Sequence, residues 1–420
     1  MTKARHTANL VDANGDIKSA ALDNVPNEVT VSSSAPGSPS EGDLWYDTTN
    51  KVLKNYDTTV GAFIKVAAEP ATLSSVSGTL FRGQTSNLTL AGTGFLTSGL
   101  VVNFLQTDDS IDANVTVTPT SDTAATVAVP SAVYSNVTVG RVVTIKVTNS
   151  DSRTSGNQTI TATAAPYSVD FLVIAGGGSG GGSNSNSAGG GGAGGYRNSY
   201  NNETSGGGAS SETALTFTSG TVYTITVGGG GAAVSDAVGN DGSNSSISGS
   251  GITTITSIGG GGGASQGHTG DGRNGGSGGG ACYSANSNAK TGGSGTSGQG
   301  YDGGDKASSG SSMAAGGGGA SEEGVSATGA AQEGRGGHGR ASSITGSSVT
   351  RAGGGGGSDE NGTQGGTGGN GGGGNGGGYN GTANTGGGGG GINNTTNNSG
   401  AGGSGVVILR MPTSSYSSTV

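Results

Sequence analysis

Residues 169–182 read Val-Asp-Phe-Leu-Val-Ile-Ala-Gly-Gly-Gly-Ser-Gly-Gly-Gly, an apolar strand that passes directly into a glycine run. The reverse transition occurs near the other end of the chain, where glycines precede Val406-Val407-Ile408-Leu409. Both 171–174 and 406–409 are apolar at every position, as strands buried on two faces are. We therefore expect these two segments to pair in one sheet and to fasten the ends of a glycine-rich domain.

The region between them is unusually rich in glycine. Of the 95 glycines in the chain, 84 follow Pro166, because only 11 lie in the first 166 residues. The glycines come in blocks such as 259–263, 353–357 and 386–391, without a Gly-X-Y period, and Pro412 is the only proline after Pro166. This pattern excludes collagen. It leaves two interpretations: a disordered low-complexity region, or an ordered domain built on glycine backbone.

Five apolar or β-branched segments favour order, since each ends in or beside a glycine run. They are 169–175, 215–227 with a turn at Ser219-Gly220, 247–258, 344–350 and 406–411. Glycine chains adopt the extended polyproline II conformation, and without Cβ atoms such strands can hydrogen-bond side by side. The sequence therefore predicts glycine strands of the polyglycine II type on a β base.

Four stretches carry a family resemblance: 169–182, GGGGAGGY at 189–196, YTITVGGGG at 223–231 and GGSGVVILRMP at 402–412. They resemble the glycine-rich domain found in phage tail fibres and some bacterial surface proteins. The glycine part is similar to the polyglycine II sandwich in the tip adhesin of some T-even-like phages. The resemblance implies recognition of a bacterial surface. The interior is too repetitive to align, so no individual binding position carries over.

The N-terminal region is predicted to form short β segments. Asn14-Gly15 is a strong hairpin signal, and 32–39 has the composition of a linker. The stretch GDLWYDTTNKVLKNYD at 42–57, with 63–66, predicts three strands and places Trp45 in a core at a protomer interface. This stretch resembles a small repeat common in phage tail-fibre and other virion structural proteins.

From Pro70 to Pro166 the sequence alternates with a period of two and has regular turns. Strands are predicted at 86–90, 100–104, 114–118, 125–129, 142–148 and 158–163, a spacing typical of a β-sandwich. LTLAGTGF, AATVAVPSAV and VTIKVTNSD resemble an IPT/TIG-type immunoglobulin-like module, which implies a spacer or a binding unit. The fold class is thus all-β with essentially no helix. The expected domains are 1–66 for virion attachment and assembly, 67–165 for the sandwich and 166–420 for the glycine-rich domain.

Composition and motifs argue against several functions. The net charge of −9 and the 11% of charged residues speak against nucleic acid, and one cysteine allows no internal disulfide. The longest apolar runs are far shorter than a membrane span, and the N-terminus lacks a signal-peptide apolar region. His6, His268 and His338 are scattered, and no catalytic motif is present. A single faint likeness to calcium-binding nonapeptide repeats at 298–305 cannot complete an ion's shell. We therefore expect no enzyme, metal, cofactor or membrane insertion.

Tyrosine, asparagine and serine gather in the loops that interrupt the glycine blocks. This is the composition of antibody paratopes, where tyrosine supplies rigid contact area and small polar residues adapt their hydrogen bonds. Alternatively, each tyrosine packs on its own glycine sheet, and the sequence leaves both interpretations open. The candidate receptor-binding residues are Tyr196, Arg197, Tyr200, Tyr283, Tyr301 and Tyr379.

Together these observations predict a phage tail fibre or receptor-binding structural protein, located on the virion and released by lysis. Its expected partners are a bacterial surface receptor, either a glycan or an outer-membrane protein, other virion proteins through the N-terminus, and two further copies in a homotrimer. The alternative is a self-assembling extracellular filament or bacterial surface adhesin whose glycine-rich domain packs against copies of itself.

Overall fold

The computed structural model describes residues 29–413 except 51, 66–70, 98, 151, 185, 269, 283–288, 308–312, 329–333, 361–364 and 394–396. The chain forms two compact units, Met1–Ala165 and Pro166–Val420. The predicted all-β fold is confirmed, since strands dominate and α1 (Ser131–Tyr134) is the one α-helix of the described residues. The predicted hairpin at Asn14-Gly15 lies outside those residues.

The first unit begins with a small four-stranded sheet. Its strands are β1 (Thr30–Ser32), β2 (Leu44–Asp47), β3 (Val52–Asp57) and β4 (Ala62–Lys65), in the order β1-β2-β3-β4. Trp45 on β2 packs edge-on against Phe63, with ring centroids 5.3 Å apart, and its Nε1–H donates to the Ser32 carbonyl oxygen at 3.1 Å. Trp45 is therefore packed within its own sheet, and its place at a protomer interface stays a prediction.

The rest of the first unit is a sandwich of two sheets, and all six predicted strands are present. The sheets have the orders β10-β7-β5 and β6-β12-β11-β8-β9. The strands are β5 (Thr72–Gly78), β6 (Leu80–Arg82), β7 (Asn87–Thr93), β8 (Leu100–Gln106), β9 (Ile111–Val117), β10 (Ala124–Ala128), β11 (Val142–Asn149) and β12 (Gln158–Ala164). Alternate residues of both sheets point inward, so Leu90, Phe104 and Ile145 are fully buried in one apolar core.

The second unit is built on strand β13 (Tyr167–Ile174), which continues into the first glycine run. β23 (Val406–Arg410) pairs with it antiparallel, with Phe171 opposite Leu409 and Ile174 opposite Val406. The predicted pairing of the two apolar segments is confirmed. β15 (Tyr196–Asn198) and β16 (Leu215–Phe217) also pair with β13. One apolar cluster contains Phe171 and another contains Leu172, because successive residues face opposite sides of the sheet.

Short strands complete the β base. β17 (Tyr223–Thr226), β18 (Ser245–Gly249) and β19 (Ile255–Ser257) form a second sheet. The predicted turn at Ser219-Gly220 is present, but it joins β16 and β17 in different sheets. β20 (Arg340–Ser342) pairs with β21 (Val349–Arg351). Outside the base, at the end of the first glycine run, β14 (Gly182–Ser183) pairs with β22 (Ile392–Asn393).

Backbone hydrogen bonds hold the glycine runs together with a repeat of three residues. Run 176–182 shows the pattern, because its N–H groups form three rows that reach three different neighbours at 2.9–3.0 Å. Gly176, Ser179 and Gly182 donate to run 237–243, Gly177 and Gly180 donate to run 400–403, and Gly178 and Gly181 donate to run 189–192. Three residues per turn is the geometry of the polyproline II helix, which for glycine is polyglycine II.

The carbonyl groups of run 176–182 add further neighbours. Gly176 and Ser179 accept from run 260–263, Gly178 and Gly181 accept from run 389–392, and Gly177 accepts from Gly231. The run is thus surrounded on all sides by other extended runs. We call this array of glycine runs within 176–405 the glycine lattice.

Only glycine fits most interior positions of the glycine lattice. A Cβ atom on Gly177 would lie 2.1 Å from the carbonyl oxygen of Gly387, and one on Gly191 would lie 2.2 Å from that of Gly178. These distances are far below contact, and the atoms met are backbone atoms that cannot rotate away. The close approach that forms the backbone ladder therefore requires the missing side chain.

Candidate functional site

The runs of the glycine lattice alternate in direction, so their connections collect at two ends. Run 176–182 leads away from β13, and its neighbours 189–192, 237–243 and 400–403 return antiparallel to it. We call the end at β13 and β23 the base end, and the opposite end the far end. Since the chain enters the unit at Tyr167, it enters at the base end.

The far end is where successive pairs of runs are joined. Four described residues that flank these joins are direct neighbours, so the joins lie at the same end of the lattice. Ala188 and Ser358 exchange hydrogen bonds, Ala314 donates to Ser358, and Ala188 forms a β-bridge with Ser265. At each join one run ends at the far end and the next run begins there. The last residue of one run and the first residue of the next are 182 and 189, 234 and 237, 265 and 272, 282 and 290, 307 and 314, 328 and 334, 358 and 366, 376 and 379, and 393 and 399.

The described side chains at the far end are mainly small and polar. Ser235, Asp236, His268, Asn397 and Asn398 are exposed there. The His268 ring lies 3.2 Å from the carbonyl oxygen of Asp236, which joins two neighbouring connections. These described side chains offer hydrogen-bond donors and acceptors, as suits a polar ligand.

Among the predicted site residues that the structure describes, Tyr379 lies at the far end. Its carbonyl oxygen accepts from the N–H of Gly390. Gly390 neighbours Gly180, which lies near the far end of run 176–182. Its side chain is 64% exposed, the largest exposure of any aromatic residue in the described part of the unit. Tyr283 lies outside the described residues.

Tyr196, Arg197 and Tyr200 lie at the base end, where they are held by internal contacts. Tyr196 pairs with Ile174 and is fully buried in the cluster around Leu172, and this burial raises the pKa of its hydroxyl. A receptor cannot reach it, so the packing interpretation is correct for Tyr196. Tyr200 is half-buried; its hydroxyl accepts from Arg410 at 2.6 Å, and the Arg410 guanidinium lies 4.7 Å from its ring centroid.

Arg197 is engaged in a two-pronged ion pair with Glu212. Its Nε and Nη2 atoms lie 2.8 and 2.5 Å from the two carboxylate oxygens, and its Nη1 donates to the carbonyl oxygen of Thr256. The base loop that follows is fixed as well, because Glu203 accepts from the backbone N–H and the hydroxyl of Ser343 at 2.9 and 2.6 Å. These hydrogen bonds stabilise the fold. They engage all three nitrogen atoms of the Arg197 guanidinium, so few of its N–H donors remain for a ligand.

Tyr301 is half-buried and also lies toward the base end. Its backbone bonds to Gly278 and Gly319, and its hydroxyl lies beside Gly208. The carboxylates that follow it, Asp302 and Asp305, accept backbone N–H groups from Gly295 and Gly292. The described residues contain no group of three or more histidine, cysteine or acidic side chains arranged for a metal ion.

The single cysteine is inaccessible. Cys282 is fully buried, and burial raises the pKa of its thiol to about 12.

In the described residues, no helix has the length and apolar character of a membrane span.

The candidate residues are thus divided between two ends of the unit. Sequence reasoning grouped them by composition and missed the far-end residues Ser235, Asp236, His268, Asn397 and Asn398. A usable signal was present: when glycine runs alternate in direction, every second connection lies at the same end.

A family model described as a glycine-rich domain matches residues 152–412, which is more than half of the chain. The chain belongs to this glycine-rich family. The match covers the whole glycine lattice and its β base. No curated protein and no solved structure matches the chain.

Proposed function

We propose that this chain is a phage tail-fibre or receptor-binding structural protein, and that the far-end loops of its glycine-rich unit recognise a bacterial surface without covalent chemistry. The observation that carries this proposal is the gathering of every second connection of the glycine lattice at the end opposite to the entry of the chain. Exposed loops on a rigid scaffold are the usual location of binding residues.

The glycine lattice suits this task for a physical reason. Each run is fixed by backbone bonds to several neighbours, so both ends of a far-end loop are anchored whatever the loop contains. Fixed anchors lower the entropy cost of ordering the loop on binding. The loop sequence is then free to change without loss of the fold, which favours a receptor that varies between bacterial strains.

The remaining parts fit the same proposal. The β-sandwich, which resembles an IPT/TIG-type module, serves as a spacer, and the region 1–66 attaches the chain to other virion proteins. The partner is a surface glycan or an outer-membrane protein loop, because the far-end side chains are small and polar. We propose a homotrimer on the virion, reaching the outside of the cell by lysis, with no enzymatic activity.

Labelled full-length protein, incubated with a panel of bacterial strains and their capsule- and lipopolysaccharide-deficient mutants, tests this function by flow cytometry. We expect binding to a subset of strains, reduced at least about tenfold by Tyr379→Ala without a change in melting temperature. The matched control is Val222→Ala, since Val222 is 84% exposed but follows the base-end strand β16. Equal binding to all strains, or equal loss in both variants, would contradict recognition by the far end.

The second candidate is a self-assembling filament or bacterial surface adhesin, and an apolar surface at the base favours it. Val222, Ile225 and Val227 are 84%, 40% and 51% exposed on or beside β17, which is an edge strand. Exposed apolar edge strands promote association. Electron microscopy of the purified protein separates the two functions: short rods or trimers support the fibre, and indefinite filaments support self-assembly.

A further inference from the structure

Three surface segments of the glycine lattice share the sequence Asp-Gly-x-Asx, at 241–244, 271–274 and 302–305. In each segment the first and fourth side chains accept hydrogen bonds from two N–H groups of a neighbouring run. The accepting and donating residues are Asp241 with Gly262, Asn244 with Gly259, Asp271 with Thr291, Asn274 with Ser294, Asp302 with Gly295, and Asp305 with Gly292, at 2.7–3.1 Å.

The spacing of the motif matches the repeat of the lattice. Residues three apart in a polyglycine II strand point in the same direction, about 9.3 Å along the axis from each other at ~3.1 Å per residue. The donors are also three apart, as Gly292 and Gly295 show. Side chains at the first and fourth positions of the motif therefore meet one row of N–H groups on the next run.

Run 290–296 shows what these side chains replace. In the interior run 176–182, all three N–H rows end on backbone carbonyl groups of other runs. In run 290–296 one row, that of Lys290, Gly293 and Thr296, still bonds to backbone carbonyl groups. The other two rows bond to the four side chains of the second and third motifs, so every N–H from 290 to 296 has an acceptor.

We infer that the Asp-Gly-x-Asx segments are edge caps that keep the glycine lattice from adding a glycine run of a second copy of this chain. Their oxygen atoms bind the row of N–H groups that the carbonyl groups of one more run would otherwise bind. An unsatisfied row of backbone donors is a template for association, and native proteins guard such edges with charged side chains. This inference does not depend on what the far-end loops bind.

The charges of the caps add to the effect. Asp302 and Asp305 are exposed, and the chain carries a net charge of −9, so a second copy that approaches this edge meets carboxylates of its own sign. Asp241 is covered differently, because Arg273 from the neighbouring run bonds to both of its oxygens at 2.7 and 2.6 Å. The third motif is therefore the one to test, since no described arginine or lysine forms such a bridge to its carboxylates.

The test compares two double variants of the full chain, D302A/D305A and D302N/D305N. Alanine removes the accepting oxygens but keeps the Cβ, so it adds no volume to the lattice. Asparagine keeps an accepting oxygen and removes the charge, which makes it the matched control. The measurements are hydrogen exchange resolved to single amides and sedimentation velocity over a range of protein concentrations.

In D302A/D305A we expect the amides of Gly292 and Gly295 to exchange at least about tenfold faster than in the parent protein, while that of Gly293 keeps its rate. We also expect the sedimenting mass of this variant to rise with concentration. D302N/D305N is expected to keep the exchange rates of the parent, because a side-chain oxygen still accepts, and to associate less than D302A/D305A, because it has lost only the charge. The pair D241A/N244A, read at Gly262 and Gly259, repeats the test should the first variant fail to fold.

Three results would overturn the inference. Unchanged exchange in the alanine pairs would show that these amides need no cap. Faster exchange without any concentration-dependent mass would show that the caps do not guard against a second copy. Association of D302N/D305N as strong as that of D302A/D305A would show that charge alone, and not the accepting oxygen, keeps the edge closed.

Discussion

The two units of this chain are both β-rich, yet a different kind of interaction stabilises each of them. In the sandwich, side chains such as Leu90, Phe104 and Ile145 are fully buried between two sheets, and the backbone ladder lies within each sheet. In the glycine lattice, the groups that meet are backbone carbonyl and N–H groups of different runs. Its interior contains small residues, and the buried clusters around Ala264 and Ala281 hold only alanine and Cys282.

The comparison shows that a domain can exchange one source of stability for another. Burial of apolar area stabilises a sandwich in proportion to the area removed from water, about 25 cal/mol per Å². Each backbone hydrogen bond of a lattice contributes roughly 0.5–1.5 kcal/mol net, against the large entropy cost of ordering glycine. The lattice therefore needs a fixed starting point, and the apolar strands β13 and β23 provide it.

The largest expected effect comes from removing that starting point. A chain ending at Gly405 loses β23, with its five paired residues and its half-buried apolar side chains. We expect hydrogen-exchange protection to be lost throughout 167–405. A chain ending at Thr413 keeps β23 and serves as the control. Native melting of the shorter chain would show that the lattice orders without its base.

The next effect concerns the sandwich, where volume in the core decides stability. Phe104→Ala removes a fully buried ring on β8, and we expect a loss of about 3–5 kcal/mol. Leu105→Ala on the same strand is the control, because Leu105 is 37% exposed. Chemical denaturation monitored by exchange of sandwich peptides measures both. Equal effects at the two positions would contradict the assignment of this core.

The reverse substitution tests the glycine lattice, where added volume is harmful. Gly191→Ala brings a Cβ within 2.2 Å of the carbonyl oxygen of Gly178. We expect a loss of about 3 kcal/mol, at the upper end for overpacking, because the atoms met are backbone. Gly229→Ala is the matched control: a Cβ there meets nothing within 4 Å, and we expect a gain of about 0.4–1 kcal/mol. If Gly191→Ala is as stable as the parent, the lattice is not closely packed.

The smallest expected effect is electrostatic and lies on the surface of the lattice. Hydrogen bonds from Arg335, at 2.8 and 3.2 Å, hold the pKa of Glu322 below its ordinary value of 4.5. A lowered pKa in the folded state stabilises the fold above the unfolded value, and this stability is lost as pH falls from about 4.5 through the folded value.

Glu322→Gln should therefore cost about 0.2–1 kcal/mol at pH 7 and should flatten the loss of stability below pH 4.5. Thermal melts from pH 7 to pH 3 measure this. Glu323→Gln, at the exposed neighbour, removes the same charge and is the control. Parallel pH curves for the parent and Glu322→Gln would rule out the contribution of the pair.

Some features of the candidate site were readable from the sequence, and others depended on how the runs pack. Tyr379 stands between glycine blocks and is exposed, as loop composition suggests. Tyr196 has the same sequence surroundings, yet it is fully buried because β15 pairs with the buried strand β13. Composition alone cannot separate the two, since it carries no information about which end of the lattice a loop occupies.

The sequence by itself determined the elements that depend on local patterns. Alternation of apolar and polar residues set the six predicted strands of the sandwich, and uniform apolar runs set the pairing of β13 with β23. The glycine blocks, together with the apolar segments that flank them, predicted that the runs are extended and closely packed. Only the tertiary structure decided which runs are neighbours, where the far end lies and which amides the Asp-Gly-x-Asx segments cap. The physical reason is that a glycine run has no side chains to distinguish one neighbour from another, so its partners are chosen by the connections and by the base on which the first run begins.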